Sequence, residues 1–249
     1  MQLYHTFQQD AQSGKKQFAI LIDPDKNSPD QISRIAQIAS REGVDYFFMG
    51  GSLLMQNHLE KYISCIRKEC DIPVILFPGN NIQLTPNADA ILLLSLISGR
   101  NPDLLIGRHV ISAPFLKQSR LEILPTGYLL IDGGNHSSVA YMSNTTPIPA
   151  LKNDIAAATA MAGEMLGLKL IYLDAGSGAS HPVLPAMIHA VKSHIAVPLI
   201  VGGGINTPDQ ALLAFQAGAD VIVVGNALEK DPDLIPPIAR QRKIAGRKG

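Results

Sequence analysis

The chain holds two cysteines, Cys65 and Cys70. They stand five positions apart in a helical pattern and so fall on different faces. That excludes a disulfide framework and a thiolate metal pair and leaves two reduced packing thiols. Net charge is missing too: 21 basic residues meet 21 acidic ones. Without a cationic surplus there is little to draw the chain to a nucleic-acid backbone. The basic tail KIAGRKG reads as a solvated end. The N-terminal stretch MQLYHTFQQDAQSGKKQ has no apolar signal core. No run reaches the roughly 18 apolar residues of a membrane span. The longest, ADAILLLSLISG, reads as a core strand with its flanks. The expectation is a cytoplasmic protein without a transmembrane segment. Internal repeats and low-complexity linkers are absent as well.

What is present is a large apolar fraction, 46% of 249 residues. That length matches the roughly 250 residues of one closed (β/α)8 barrel. Short Ile-Val-Leu runs alternate with helical patterns along the chain, as parallel strands with crossover helices do. FAILI is the first strand, and SPDQISRIAQIASREG the first crossover helix, with Ser28 as cap, Pro29 in the first turn and Gly43 as stop. DYFFMGGS, IPVILFPG, ADAILLLSLISG and TGYLLIDGG are strands two to five. The expectation is a single TIM-barrel domain over residues 1–249.

One connector breaks the pattern. Between Pro78 and Ala88 lies GNNIQLTPN and little else. Such a segment is too short for a helix with both its turns. The helix between strands three and four should be replaced by a loop, leaving the wall thin. A groove there, lined by Leu and Ile, suits an elongated apolar ligand. After strand five the long segment NHSSVAYMSNTTPIP crosses the barrel mouth as a candidate lid.

The last third carries the strongest signal. IYLDAGSGAS, PLIVGGGINTPDQ and ADVIVVGNALE each run from an apolar strand into glycine. The loops after strands seven and eight of a TIM barrel are its phosphate-binding corner. Gly203 and Gly204 let backbone approach a ligand, and helix starts at Thr207 and Asn226 offer free N–H groups to a phosphate.

Reactive groups of such barrels sit at the carboxyl ends of the strands. Asp23, Asp25 and Lys26 follow strand one, and Ser52 follows strand two. Asp23 with Ser52 makes a pair of hard oxygen ligands suited to Mg2+; DPDK alone is equally a turn. Asp174 ends strand six, as a general base toward a substrate hydroxyl or as a loop cap. Tyr172 lies two residues earlier on the same strand face. A phosphate cradle, a cation site, a carboxylate and an apolar groove together suit alkyl transfer with diphosphate as leaving group. A phosphosugar-processing barrel or a non-catalytic phosphometabolite-binding protein would share the glycine loops without needing the groove.

LIDPDK (21–26), FFMGGS (47–52), LFPGN (76–80), SLISGRNP (95–102), GYLLIDGG (127–134), YLDAGSGA (172–179), VGGGI (201–205) and VVGNALE (223–229) occur in this order. Together they closely resemble the geranylgeranylglyceryl phosphate synthases, the PcrB-like prenyltransferases, over nearly the whole chain. The resemblance implies a modified TIM barrel lacking its third helix. It implies prenyl transfer from geranylgeranyl diphosphate to sn-glycerol 1-phosphate, making an ether-lipid precursor. It implies Asp23 and Ser52 as Mg2+ ligands. It places glycerol 1-phosphate against Tyr172, Leu173, Asp174, Ala175, Gly176, Ser177 and Gly178, with Gly203, Gly204, Gly225 and Asn226. Asp174 and Tyr172 are the candidate catalytic residues, Asp174 as base and Tyr172 with a hydroxyl that holds the substrate or merely packs; the resemblance further implies a homo-oligomer, a dimer or hexamer, with no more than peripheral membrane contact. Two positions depart from the pattern. The family often has Glu where this chain has Asp174, and some members have Lys where it has Leu21.

Overall fold

The structure is a computed structural model and describes residues 2–56 and 58–246. The last three residues of the basic tail lie outside it. Eight parallel strands close in sequence order, β1 pairing with both β2 and β8.

The leading helix α1 (Leu3–Gln12) lies across the amino-terminal end of the barrel. Its Phe7 stacks on Tyr46 at 4.5 Å. The Glu122 carboxylate accepts the otherwise unpaired N–H groups of Leu3 and Tyr4 at 2.6 and 2.9 Å. Charge at a helix start is favourable because those amides have no partner inside the helix. This seal closes one end of the barrel, so ligands enter from the other.

The chain then runs β1 (Gln17–Ile22), α2 (Pro29–Glu42), β2 (Tyr46–Met49), α3 (Leu59–Glu69) and β3 (Val74–Leu76). Ser28 and Gln31 form a reciprocal cap on α2, and Gly43 ends it in the left-handed region, as the sequence predicts. Between β3 and β4 (Ala90–Leu96) no helix intervenes. The two strands still pair, Ile75 with Ala90 and Leu76 with Ile91. The sheet is therefore closed there, and what is missing is the outer helical layer.

A π-helical turn (Asp103–Gly107) leads into α4 (Arg108–Gln118), where the spacing predicts one continuous helix from Pro102. Ile106, Val110, Ile111 and Phe115 are exposed on this segment. Strand β5 (Glu122–Leu130) starts and ends earlier than the run TGYLLIDGG suggests. The candidate lid contains a short helix, α5 (Ser138–Ser143), capped by Ser137, and is anchored by a bridge between Ile131 and Ile148.

The rest is regular: α6 (Asn153–Met165), β6 (Leu170–Asp174), α7 (Pro185–Lys192), β7 (Leu199–Gly202), α8 (Pro208–Gln216), β8 (Val221–Val224), α9 (Asn226–Lys230) and α10 (Ile235–Ala245). The final helix begins after a separate 3-10 turn at Pro232–Leu234. Strand alternation divides the core into two layers. Phe48, Leu92, Tyr172, Ile200 and Val223 fill the barrel, and Phe47, Ile171, Leu173, Val201 and Ile222 pack beneath the helices. Among the described residues no helix is long and apolar enough to cross a membrane.

Candidate functional site

Two cavities open at the carboxyl end of the barrel. The polar one has a volume of about 440 Å³ and is bordered by the loops after β1, β2, β6, β7 and β8. Asp23, Ser52, Tyr172, Asp174, Gly176, Ser177, Gly178, Gly203, Gly204, Gly225 and Asn226 all line it. The sequence-predicted residues therefore converge, although Asp23 and Asn226 lie 203 positions apart. Leu173 and Ala175 do not. Both belong to the layer between sheet and helices, because successive strand residues face opposite sides. The Ala175 amide is also committed, donating to the Gly202 carbonyl at 3.1 Å.

Gly203 and Gly204 have φ of 78° and 71°, a region that side chains resist. A Cβ on Gly203 would fall on Asp174 Oδ1, and one on Gly204 on the His181 carbonyl. The amides of Gly178, Gly203 and Gly204 have no partner among the described residues. They are donors available to an anion. The start of α8 offers fewer donors than expected. Thr207 Oγ1 accepts from the Gln210 amide at 3.3 Å, and Gln210 Oε1 accepts from Thr207 N at 3.2 Å. That capping box satisfies the Thr207 and Gln210 amides internally, and Pro208 has no N–H, so the Asp209 amide is what the first turn has left. Ser177 and Asn226 clasp across the loops after β6 and β8 at 3.1 Å.

Asp174 is buried, 6% exposed, at the floor of this cavity. The Tyr128 hydroxyl donates to its Oδ2 at 2.6 Å and the Gly176 amide to its Oδ1 at 2.7 Å. Burial pushes the carboxyl above the usual range, and those two donors pull part of the way back. Burial also pushes the hydroxyls of Tyr128 and Tyr172 far up, with the charge of Asp174 adding to it. Both tyrosines stay protonated. The Tyr172 hydroxyl packs on Gly202, whose hydrogen leaves the room it needs.

The loop after β1 is tied to α9. Glu229 Oε1 accepts from the Asp23 amide at 3.0 Å and from Asn27 Nδ2 at 3.2 Å. Asp25 also lines the cavity, but its carboxylate is committed, accepting from the Met55 and Gln56 amides. Asp23 remains beside the backbone of Gly51, next to Ser52. The Lys26 ammonium lies 3.0 Å from Asp23 Oδ2 and 3.4 Å from Asn226 Oδ1. A positive group thus already sits at this carboxylate, so the donors suit a cation. Among the described residues there is no cluster of three or more His, Cys, Asp or Glu. One carboxylate and one hydroxyl fit Mg2+, which keeps waters and substrate phosphates as its other ligands.

The second cavity, about 230 Å³, is apolar and lies where the outer helix is missing. Leu84, Ile91, Leu92, Leu94, Leu104, Ser112 and Leu116 line its length, and Met142 on α5 overhangs it. The two cavities share Gly51, Ser52, Phe77 and Val139 as a common wall. Phe77 stacks on Tyr172 at 5.4 Å and lies 6.0 Å from Tyr128.

Sequence reasoning passes over Tyr128, Phe77 and Glu229. Glu229 stands four residues after Gly225, in a helix that reads only as the phosphate loop's continuation. Tyr128 had a usable signal. It has the same inward parity in β5 as Tyr172 has in β6, and the two are paired in register.

Residues 11–241 match the PcrB family. The chain is 54% identical over 237 residues to a geranylgeranylglyceryl phosphate synthase of Chitinophaga pinensis, covering 95% of this chain and 94% of that protein. It is 42% identical over 222 residues to the one of Pyrococcus abyssi, covering 89% and 87%. The crystal structure of (S)-3-O-geranylgeranylglyceryl phosphate synthase from Thermoplasma acidophilum, in complex with its substrate sn-glycerol-1-phosphate, superposes with a TM-score of 0.92 at 32% identity. That alignment covers 98% of this chain and 99% of the other.

Proposed function

This chain belongs to the PcrB family, and from that membership we infer its reaction: the prenyl group of geranylgeranyl diphosphate passes to the hydroxyl of sn-glycerol 1-phosphate. Geranylgeranylglyceryl phosphate and diphosphate are the products. The observation that carries the reading is the shared wall at Gly51, Ser52, Phe77 and Val139, where an apolar groove meets an anion cradle. A phosphosugar enzyme needs the cradle alone.

The free amides of Gly178, Gly203 and Gly204 bind the phosphate of the acceptor. This fixes the glycerol hydroxyl over Asp174, and such positioning removes much of the entropy of bringing two substrates together. Asp174 takes the hydroxyl proton as the ether bond forms. The allylic carbon–oxygen bond breaks, and diphosphate leaves with the electron pair. The allylic carbon, gaining cationic character, lies against Phe77 and Tyr172 and away from water. Asp23 and Ser52 would hold Mg2+, whose charge offsets that building up on the departing diphosphate.

Chelating divalent cations should abolish turnover, and adding Mg2+ should restore it. Asp23→Asn should weaken Mg2+ binding in calorimetry about tenfold or more while leaving metal-free glycerol 1-phosphate binding unchanged. Equal turnover in EDTA would remove the metal from this scheme.

Donor length is a matter of groove depth. Arg108, Ser112 and Leu116 all line the groove from α4. On a helix they succeed one another about 6 Å apart, from the rim inward. Ser112→Phe should therefore exclude geranylgeranyl diphosphate and still accept geranyl diphosphate. Rates across a series of prenyl diphosphates check this; an unchanged length preference would place the chain elsewhere.

A further inference from the structure

We infer that Tyr128 is a positioning residue for the transfer, fixing the Asp174 carboxylate at the seam between the prenyl groove and the phosphate cradle. The inference rests on the reading of Asp174 as the base.

Its ring lines the apolar groove, and its hydroxyl reaches through the wall to a residue of the polar cavity. Tyr128 is itself 4% exposed. Its ring meets Tyr172 edge-on at 5.5 Å and Phe77 at 6.0 Å, so it has little freedom to rotate. The hydroxyl therefore points in one direction, toward Asp174 Oδ2. The Gly176 amide holds the other oxygen from the backbone. Two donors, one on each oxygen, set both torsions of the Asp174 side chain. Each oxygen keeps a second lone pair, and one of these can face the glycerol hydroxyl.

The short side chain makes this anchoring matter. Asp reaches one methylene less far than Glu, so a small rotation would carry its oxygens out of reach of the acceptor. The charge must also be stabilised where water is excluded, and a hydrogen bond to an ionised group is among the stronger ones. A tyrosine that only needed a partner for its buried hydroxyl would be satisfied equally by a backbone carbonyl. Bonded to this carboxylate it must donate, since an ionised carboxylate only accepts. The Tyr128 proton stays on its oxygen throughout; the proton that moves goes from glycerol to Asp174.

Tyr128→Phe in the full-length chain removes one oxygen. The variant should fold, melting somewhat below the parent at neutral pH, where ionised Asp174 has lost a donor, and closer to it below about pH 4. Its kcat should fall about tenfold to a hundredfold, with KM for glycerol 1-phosphate within about twofold, since the cradle amides are untouched. The acid limb of the kcat–pH profile should move to higher pH, because losing the donor removes a contribution that lowers the Asp174 pKa. Carbon-13 NMR of labelled aspartate should show the same upward shift without turnover. An unmoved acid limb, a loss confined to KM, or a variant that does not fold would each overturn the positioning role. Asp174→Asn serves as the reference. If it keeps full turnover, the base assignment itself fails. If it is inactive while Tyr128→Phe behaves as the parent, only the present inference fails.

Discussion

Asp174→Asn is expected to lower kcat by about two to four orders of magnitude, with calorimetric binding of glycerol 1-phosphate nearly unchanged. The amide keeps the shape of the side chain and can still accept from Gly176, so the cradle stays built. What it loses is the capacity to take a proton. A non-catalytic phosphometabolite-binding protein would show the binding and no turnover to lose.

The pH dependence follows from the burial of the same group. The Asp174 pKa lies above the usual carboxylate value in the folded chain, chiefly through burial. The base must be ionised to act, so kcat should climb with pH through that raised value, higher than an exposed Asp would give. Stability moves the other way. The folded state holds this proton more tightly than the unfolded one, whose Asp titrates near about pH 4. Between the two pKa values stability therefore falls as pH rises, and above the folded pKa the whole deficit is present. Asn does not ionise and removes that deficit. The variant should melt at or above the parent at neutral pH, and the gain should vanish below about pH 4. A lower melting temperature at neutral pH would mean that the ionised carboxylate stabilises the fold instead.

The second large effect is expected at Gly203. An alanine Cβ there would lie 2.5 Å from Asp174 Oδ1 and 2.7 Å from the amides of Ala175 and Gly176. Its φ of 78° adds backbone strain of about 1–3 kcal/mol. The methyl group stands between the phosphate donors and the base, so both binding and catalysis should suffer. Glycerol 1-phosphate affinity should drop about a hundredfold or more, the cost of about 3 kcal/mol, and kcat should fall with it. Gly14→Ala is the matched control. Its φ is 74°, and nothing lies within 4 Å of the added carbon. It should lose stability from strain alone and keep its kcat and KM. Equal kinetics for the two variants would deny Gly203 any part in the site.

Much of this was legible in the sequence, for physical reasons that can be named. Strand and helix periods, the Ser28 cap and the Gly43 stop are local, set by neighbours along the chain. So is the shortage of residues between β3 and β4, which no folding could turn into a full outer helix. The glycine loops and DPDK could be placed at one mouth because parallel βα units put every strand's carboxyl end on the same side. Leu173 and Ala175 were carried into the site with their neighbours; strand alternation, also local, turns them away.

Only the closed barrel decided what touches what. Tyr128 and Asp174 stand 46 positions apart, and Glu229 and Asp23 stand 206 apart. Their contacts depend on strand register and on closure between β1 and β8, which no local pattern encodes. The capping of α8 is the opposite case: Thr207 and Gln210 stand three positions apart, and their box is as local as the one at Ser28. The groove shows the division most plainly. A missing helix is a count of residues, whereas an apolar slot sharing a wall with an anion cradle exists only once distant loops are brought to one rim.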